Sequence, residues 1–126
     1  MLNKVIWMDS EKAIVFSMKL AGIERSQINK RILNHHTQNK KDMHTDSNAE
    51  HFYHDLATSL KEADQILIMG PGLSKKRFKN YLESHPANGI AKKIIALENS
   101  NHPSDNQILA ASRKFFKTFD LYHNPI

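Results

Sequence analysis

The turn Gly70-Pro71-Gly72 leads through Leu73 into Ser74, Lys75, Lys76, Arg77 and Lys79. Glycine lets a backbone approach a ligand closely, and the free amides at a helix N-terminus attract anions, so this stretch has the chemistry to hold a phosphate. It is not a P-loop, which needs four residues and a Gly-Lys-Ser/Thr ending after its first glycine. Gly70 and Gly72 are therefore the candidate anion-binding turn, with Ser74, Lys75, Lys76, Arg77 and Lys79 as candidate contacts to a phosphate backbone. The plainer alternative is a tight strand-to-helix turn followed by an ordinary solvated face.

A second set of cations, Arg25, Lys30 and Arg31, precedes Lys40 and Lys41. If Arg31, Lys40 and Lys41 join the first set in space, the partner is an extended polyanion such as RNA. No aromatic residue interleaves these cations, so the expected readout is of phosphate and shape, without base stacking. His35, His36, His44, His51 and His54 crowd into one stretch, and His51 and His54, three apart on a predicted helix, can face one ligand. Their spacing fits no standard structural zinc pattern and there is no His-Glu-x-x-His, so neither a metal nor a cofactor is expected. Asp9 and Glu98 are the strand-end acids that a metal-dependent nuclease would need, but they suit a hairpin turn and a strand terminus equally well. No catalytic residue is assigned.

These groups must be positioned by a fold. The 126 residues suit one domain, 1–126; 40% are apolar and 25% charged, with four Gly and four Pro, a composition that packs a core. There is no cysteine, which removes disulfides and thiolate metal sites and fits a cytoplasmic location. No stretch reaches the roughly 20 apolar residues of a membrane span. Eighteen Lys and Arg against thirteen Asp and Glu leave a net charge of +5, which favours an anionic partner.

Asn3 to Asp9 and Lys12 to Leu20 read as a β-hairpin, and Glu24 to Leu33 as a third, edge-like strand. Residues 34–48 lose all apolar character except Met43 and read as a polar mobile loop. Ser47 and Glu50 have capping-box spacing ahead of Phe52, Leu56, Leu60 and Ala63, which predicts a helix from Ser47 to Glu62. Gln65 to Met69 reads as a buried strand. Leu73 to Ser84 reads as a helix with Phe78, Tyr81 and Leu82 inside and cations outside. Ala91 to Glu98 is another buried strand. Ser104 and Gln107 form a second capping box, opening a last helix whose inner face carries Ile108, Ala111, Ser112, Phe115 and Phe119. Strands joined through a helix lie parallel, so the expected fold is α/β, a ribonuclease-H-like mixed five-stranded sheet flanked by helices.

The segments Lys4-Val5-Ile6-Trp7-Met8-Asp9, Gln65-Ile66-Leu67-Ile68-Met69-Gly70-Pro71-Gly72 and His102-Pro103-Ser104-Asp105-Asn106-Gln107 resemble a family of small proteobacterial proteins labelled translational machinery protein. That family is similar to the middle domain of archaeal and eukaryotic class-I peptide-chain release factors and of Pelota, over nearly the whole chain. The resemblance implies a fold of the translational machinery component type and a place near translation. In the release-factor domain the loop after the third strand carries Gly-Gly-Gln. Here Gln38 stands in that loop without the two glycines, so the resemblance implies no release activity of that type. The expectation is a translation-related factor associated with the ribosome or RNA, using its basic surfaces on rRNA or tRNA phosphates. A protein-interaction module, or a hydrolase or nuclease acting on peptidyl-tRNA or RNA, remains open.

Overall fold

Five strands and three helices form three layers in the computed structural model, which describes residues 1–31 and 47–123. The strands are β1 (Asn3–Met8), β2 (Lys12–Lys19), β3 (Gly22–Asn29), β4 (Gln65–Gly70) and β5 (Ile94–Asn99). The helices are α1 (Ser47–Thr58), α2 (Ser74–Glu83) and α3 (Asp105–His123). The sheet order is β3-β2-β1-β4-β5, with β1 parallel to β4, β4 parallel to β5, and the β1-β2-β3 meander antiparallel. This is the mixed five-stranded α/β arrangement that the element order predicts. The expected polar loop lies outside the described residues except at its end, where α1 has already begun.

Alternation along the central strands sorts two cores. Ile6, Met8, Val15, Ile66 and Ile68 face α1 and α2, meeting Phe52, Leu56, Phe78 and Leu82. Val5, Trp7, Phe16, Leu67 and Met69 face α3, meeting Ile108 and Phe116. Strands buried on both faces read as continuous apolar runs, which is why β1 and β4 were so legible. The edge strand β3 buries little beyond part of Ile28, consistent with its mixed polar sequence.

The structure departs from the sequence pattern at four places, the first being β3, which begins at Gly22 and ends at Asn29 where the pattern set Glu24 to Leu33. The helical regularity continues past Thr58 because Leu60 and Ala63 still point inward. They do so on tight turns, with Leu60 N–H donating to Ala57 O and Ala63 N–H to Leu60 O. Residues Ala91–Lys93 form a short 3-10 turn ahead of β5, and β5 is only half-buried because it closes the other edge of the sheet. On α3, Ala111 is exposed and Phe116 takes the buried place, while Phe115 and Phe119 are half-buried. The Ser104–Gln107 capping box is formed, with Ser104 N–H donating to Gln107 Oε1 (2.9 Å) and Gln107 N–H to Ser104 Oγ (3.2 Å). Asp9 makes the hairpin turn, its Oδ1 accepting from the Glu11 and Lys12 amides.

Lys4 is the charged residue that this packing treats worst. It lies on the α1 side of β1, 8% exposed, and its Nζ donates to the Ser59 carbonyl at the end of α1 (2.7 Å). Burial lowers its pKa below the ordinary 10.5, against a smaller upward pull from Glu62. Between the lowered value and 10.5 the folded chain holds fewer protons than the unfolded chain, so stability rises with pH through that window. Urea unfolding of wild type and Lys4→Met, compared at neutral and alkaline pH, will show wild type gaining relative to the variant as pH approaches 10.5. A pH-independent difference rejects the account.

Candidate anion-binding surface at the start of helix α2

Gly70 ends β4 where it lies alongside β1. Its φ is +148°, and a Cβ there would sit 1.9 Å from the Met8 carbonyl oxygen, so the strand pairing itself excludes a side chain. Gly72 has φ +63°, a left-handed conformation, but a Cβ there would meet open space. Both glycines therefore have structural duties, as the plainer reading required. The turn they form releases α2 at the carboxyl end of the parallel strands β1, β4 and β5, where open α/β sheets commonly place ligands.

The cations that follow divide into two sets. Lys75 is buried, and its Nζ donates to the Gly72 carbonyl (2.9 Å) and to Asn99 Oδ1 (2.7 Å). It ties the turn to the end of β5 and does not stand on the solvated face assigned to it by helical spacing. Ser74 is also buried. Lys76 and Arg77 are exposed and Lys79 is half-buried; among the described residues none of the three has a carboxylate partner. Leu73, in the N-cap position, offers no side-chain hydrogen bond to the first-turn amides. Cations, uncapped amides and the positive end of the helix dipole thus coincide.

The second basic set is spent differently. Arg25 Nε pairs with Asp105 Oδ2 at the start of α3 (2.8 Å), and Arg31 pairs with Asp55 of α1 (3.0 Å). Both come from the β3 side of the sheet: Arg31 is held beside α1, which packs against β3 and α2, while Arg25 is held to α3, on the face of the sheet opposite α2. Lys40, Lys41, Gln38, His35, His36 and His44 lie outside the described residues. His51 and His54 are exposed on α1, and no group of three potential ligands able to hold a metal occurs among the described residues.

The three segments quoted for the family resemblance meet here. His102 packs edge-on to Trp7 (5.1 Å between ring centres), Trp7 Nε1 donates to the Asn101 carbonyl (2.9 Å), and Gly70 abuts Met8. Solved structures share this fold. Pelota of Archaeoglobus fulgidus matches 90% of this chain over 31% of its own, with a TM-score of 0.62 and 13% identity. An archaeal translation termination factor, aRF1, matches 96% of this chain over 40% of its own (TM-score 0.55, 15% identity). Dom34 of S. cerevisiae, described as a translation termination-like factor involved in RNA quality control and interacting with Hbs1, matches 86% over 31% (TM-score 0.58, 12% identity). The chain thus spans about a third of the length of the structures it resembles, and at these identities what is shared is the fold. No family model and no curated protein matches the sequence.

The two glycines make separable demands. Gly70→Ala must push β4 away from β1 and is expected to destabilise the fold by about 3 kcal/mol or more, whereas Gly72→Ala carries only the left-handed strain of roughly 1–2 kcal/mol. Urea denaturation of both variants measures the difference. Equal losses would show that Gly70 does not hold the close approach.

Proposed function

We propose that this chain is a translation-related factor that docks on structured RNA of the ribosome or of tRNA through the start of α2. The observation that carries the proposal is the coincidence of Lys76, Arg77 and Lys79, unpaired among the described residues, with an uncapped helix N-terminus. The supporting context is a fold shared with Pelota and aRF1, and the resemblance to the proteobacterial translational machinery family belongs to the same proposal. In this reading Lys75 holds the turn in shape while its neighbours meet phosphates, and the surface neutralises charge without reading sequence. Neither helix α3 nor any other among the described residues is long and apolar enough to cross a membrane.

A second reading, a protein-interaction module, has its own observation. Met1, Leu20 and Ile23 are exposed together beside the turn between β2 and β3, and with Met18 they line a cleft of about 790 Å³. Apolar surface gathered in this way marks protein contacts more often than RNA contacts.

Sedimentation with ribosomes and with free tRNA across a salt series separates the two. Three phosphate contacts lower affinity roughly 40-fold when salt rises from about 50 to about 200 mM. Reversing Lys76, Arg77 and Lys79 to Glu is expected to abolish binding and its salt dependence while leaving thermal unfolding unchanged. Wild-type protein that pellets with neither partner at low salt rejects RNA docking and leaves the interaction module.

A further inference from the structure

Arg77 and Tyr81 lie one turn apart on α2, and His85, two residues beyond the end of the helix, folds back against Tyr81, so the three lie in line at the C-terminal end of the helix. The one aromatic residue among these cations in linear order, Phe78, is buried, so the exposed ring surface is not apparent from the sequence. Tyr81 and His85 stack with ring centres 4.1 Å apart, and His85 Nδ1 is 2.7 Å from the Tyr81 carbonyl oxygen, which fixes the imidazole over the phenol. Behind them the rings continue inward. Tyr53 lies 5.4 Å from Tyr81, and Phe78, fully buried, lies 5.6 Å from Tyr53. A column of rings therefore rises from the core and ends at exposed His85.

Tyr81 and His85 form one wall of a cleft of about 490 Å³ between the C-terminal ends of α1 and α2, within the roughly 300–1,000 Å³ typical of small-ligand sites. Ala57 and Ile90 supply an apolar floor, and His54 and Lys61 stand on the α1 side. No acid is among the lining residues. Among the described residues neither Lys61 nor His54 has a side-chain partner, while Lys93 Nζ reaches the Lys61 carbonyl (3.3 Å) and brings a second cation close. Burial, with a smaller contribution from the Glu50 charge, raises the Tyr81 pKa above the ordinary phenol value. The cleft thus offers a rigid ring to stack on, apolar contact beneath, and cations at one side.

The geometry points to a binding site for one unpaired nucleotide of an RNA strand, its base stacked at the Tyr81–His85 wall and its phosphate turned to Lys61 and His54. A bare phosphate would leave the ring wall and apolar floor unused, and a plain aromatic ring would leave the cations unused. A strand is favoured over a free nucleotide because the same ridge carries Arg77 toward the cationic start of α2, giving adjoining phosphates a counter-charge. This inference rests on the RNA reading above and adds a single-stranded, base-contacting element to it. Stacking and phosphate contact are geometrically separate, so different substitutions test them.

The test compares a six-nucleotide single-stranded oligoadenylate, a duplex RNA and AMP, each titrated into isotopically labelled protein and followed by amide chemical shifts, with affinities from calorimetry. Single-stranded RNA is expected to shift amides at Ala57, Thr58, Ala87 and Asn88. His85→Ala and Lys61→Glu should each weaken its binding about tenfold, as loss of one stacked base or one phosphate contact does, and leave duplex binding unchanged. Lys61 is exposed, so Lys61→Glu reports on the cleft even if His85→Ala disturbs the helix end. Duplex binding with no effect of either substitution on the single strand overturns the cleft proposal and leaves RNA docking intact. AMP binding that depends on His85, with no binding of either RNA, overturns the assignment to a strand and the RNA reading together.

Discussion

No side chain fits at residue 70. The parallel contact between β1 and β4 brings the Met8 carbonyl so close to Gly70 that a Cβ would fall at 1.9 Å, and the rest of the molecule is arranged around this approach. β1 and β4 are the inner strands of the order β3-β2-β1-β4-β5, buried on both faces, and each face carries its own helical layer. The chain must leave β4 abruptly, because α2 has to return across the same face that Ile66 and Ile68 present. Gly72 makes that reversal in a left-handed conformation, and Lys75, buried by the return, finds its hydrogen bonds in the turn it helped to create. A close strand contact thus dictates where the helix starts, and the start of the helix is where positive charge collects.

Net charge says little about where the charge is available. The +5 excess is spread over eighteen cations, and the structure uses them unequally. Arg25 and Arg31 hold α3 and α1 to the β3 side through Asp105 and Asp55, Lys4 supports the end of α1, and Lys75 closes the turn. Exposed ion pairs such as the first two stabilise weakly, by up to about 1 kcal/mol each, so they hold those guanidinium groups at the carboxylates without closing them to a partner. What remains at α2 is a small cationic surface, set on a helix whose dipole has the same sign.

Much of this was legible in the sequence, and for identifiable reasons. Strands β1 and β4 announce themselves as apolar runs because both of their faces are buried, and the Ser104–Gln107 box marks the start of α3 because its bonds are local. Lys75 was not legible, since its burial depends on Asn99, 24 residues away in another strand, and helical periodicity assigns it to solvent. The ion pairs of Arg25 and Arg31 were not legible either, because their acidic partners are 80 and 24 residues distant in the chain. Ala111 and Phe116 exchanged places on α3 because Ile108, Ser112 and Phe116 follow a strict four-residue ridge, which the broader apolar pattern blurs. The cleft was least legible of all, being assembled from the ends of two helices and the turn after the second.

Helix α2 therefore presents two chemistries along its ten residues, a length of about 15 Å. Its first turn offers cations and amide hydrogens, which recognise phosphate in any sequence and in single or double strands alike. Its far end offers a stacked ring pair, which has no use for a base already paired within a duplex. The buried residues Phe78 and Leu82 hold the helix against the sheet along the opposite side, so the spacing between the two surfaces is fixed by the core. In the proposed reading a single strand can engage both surfaces, whereas a continuous duplex can engage only the first. The fixed spacing along α2 therefore favours a ligand with an unpaired nucleotide at the far end over a continuous duplex.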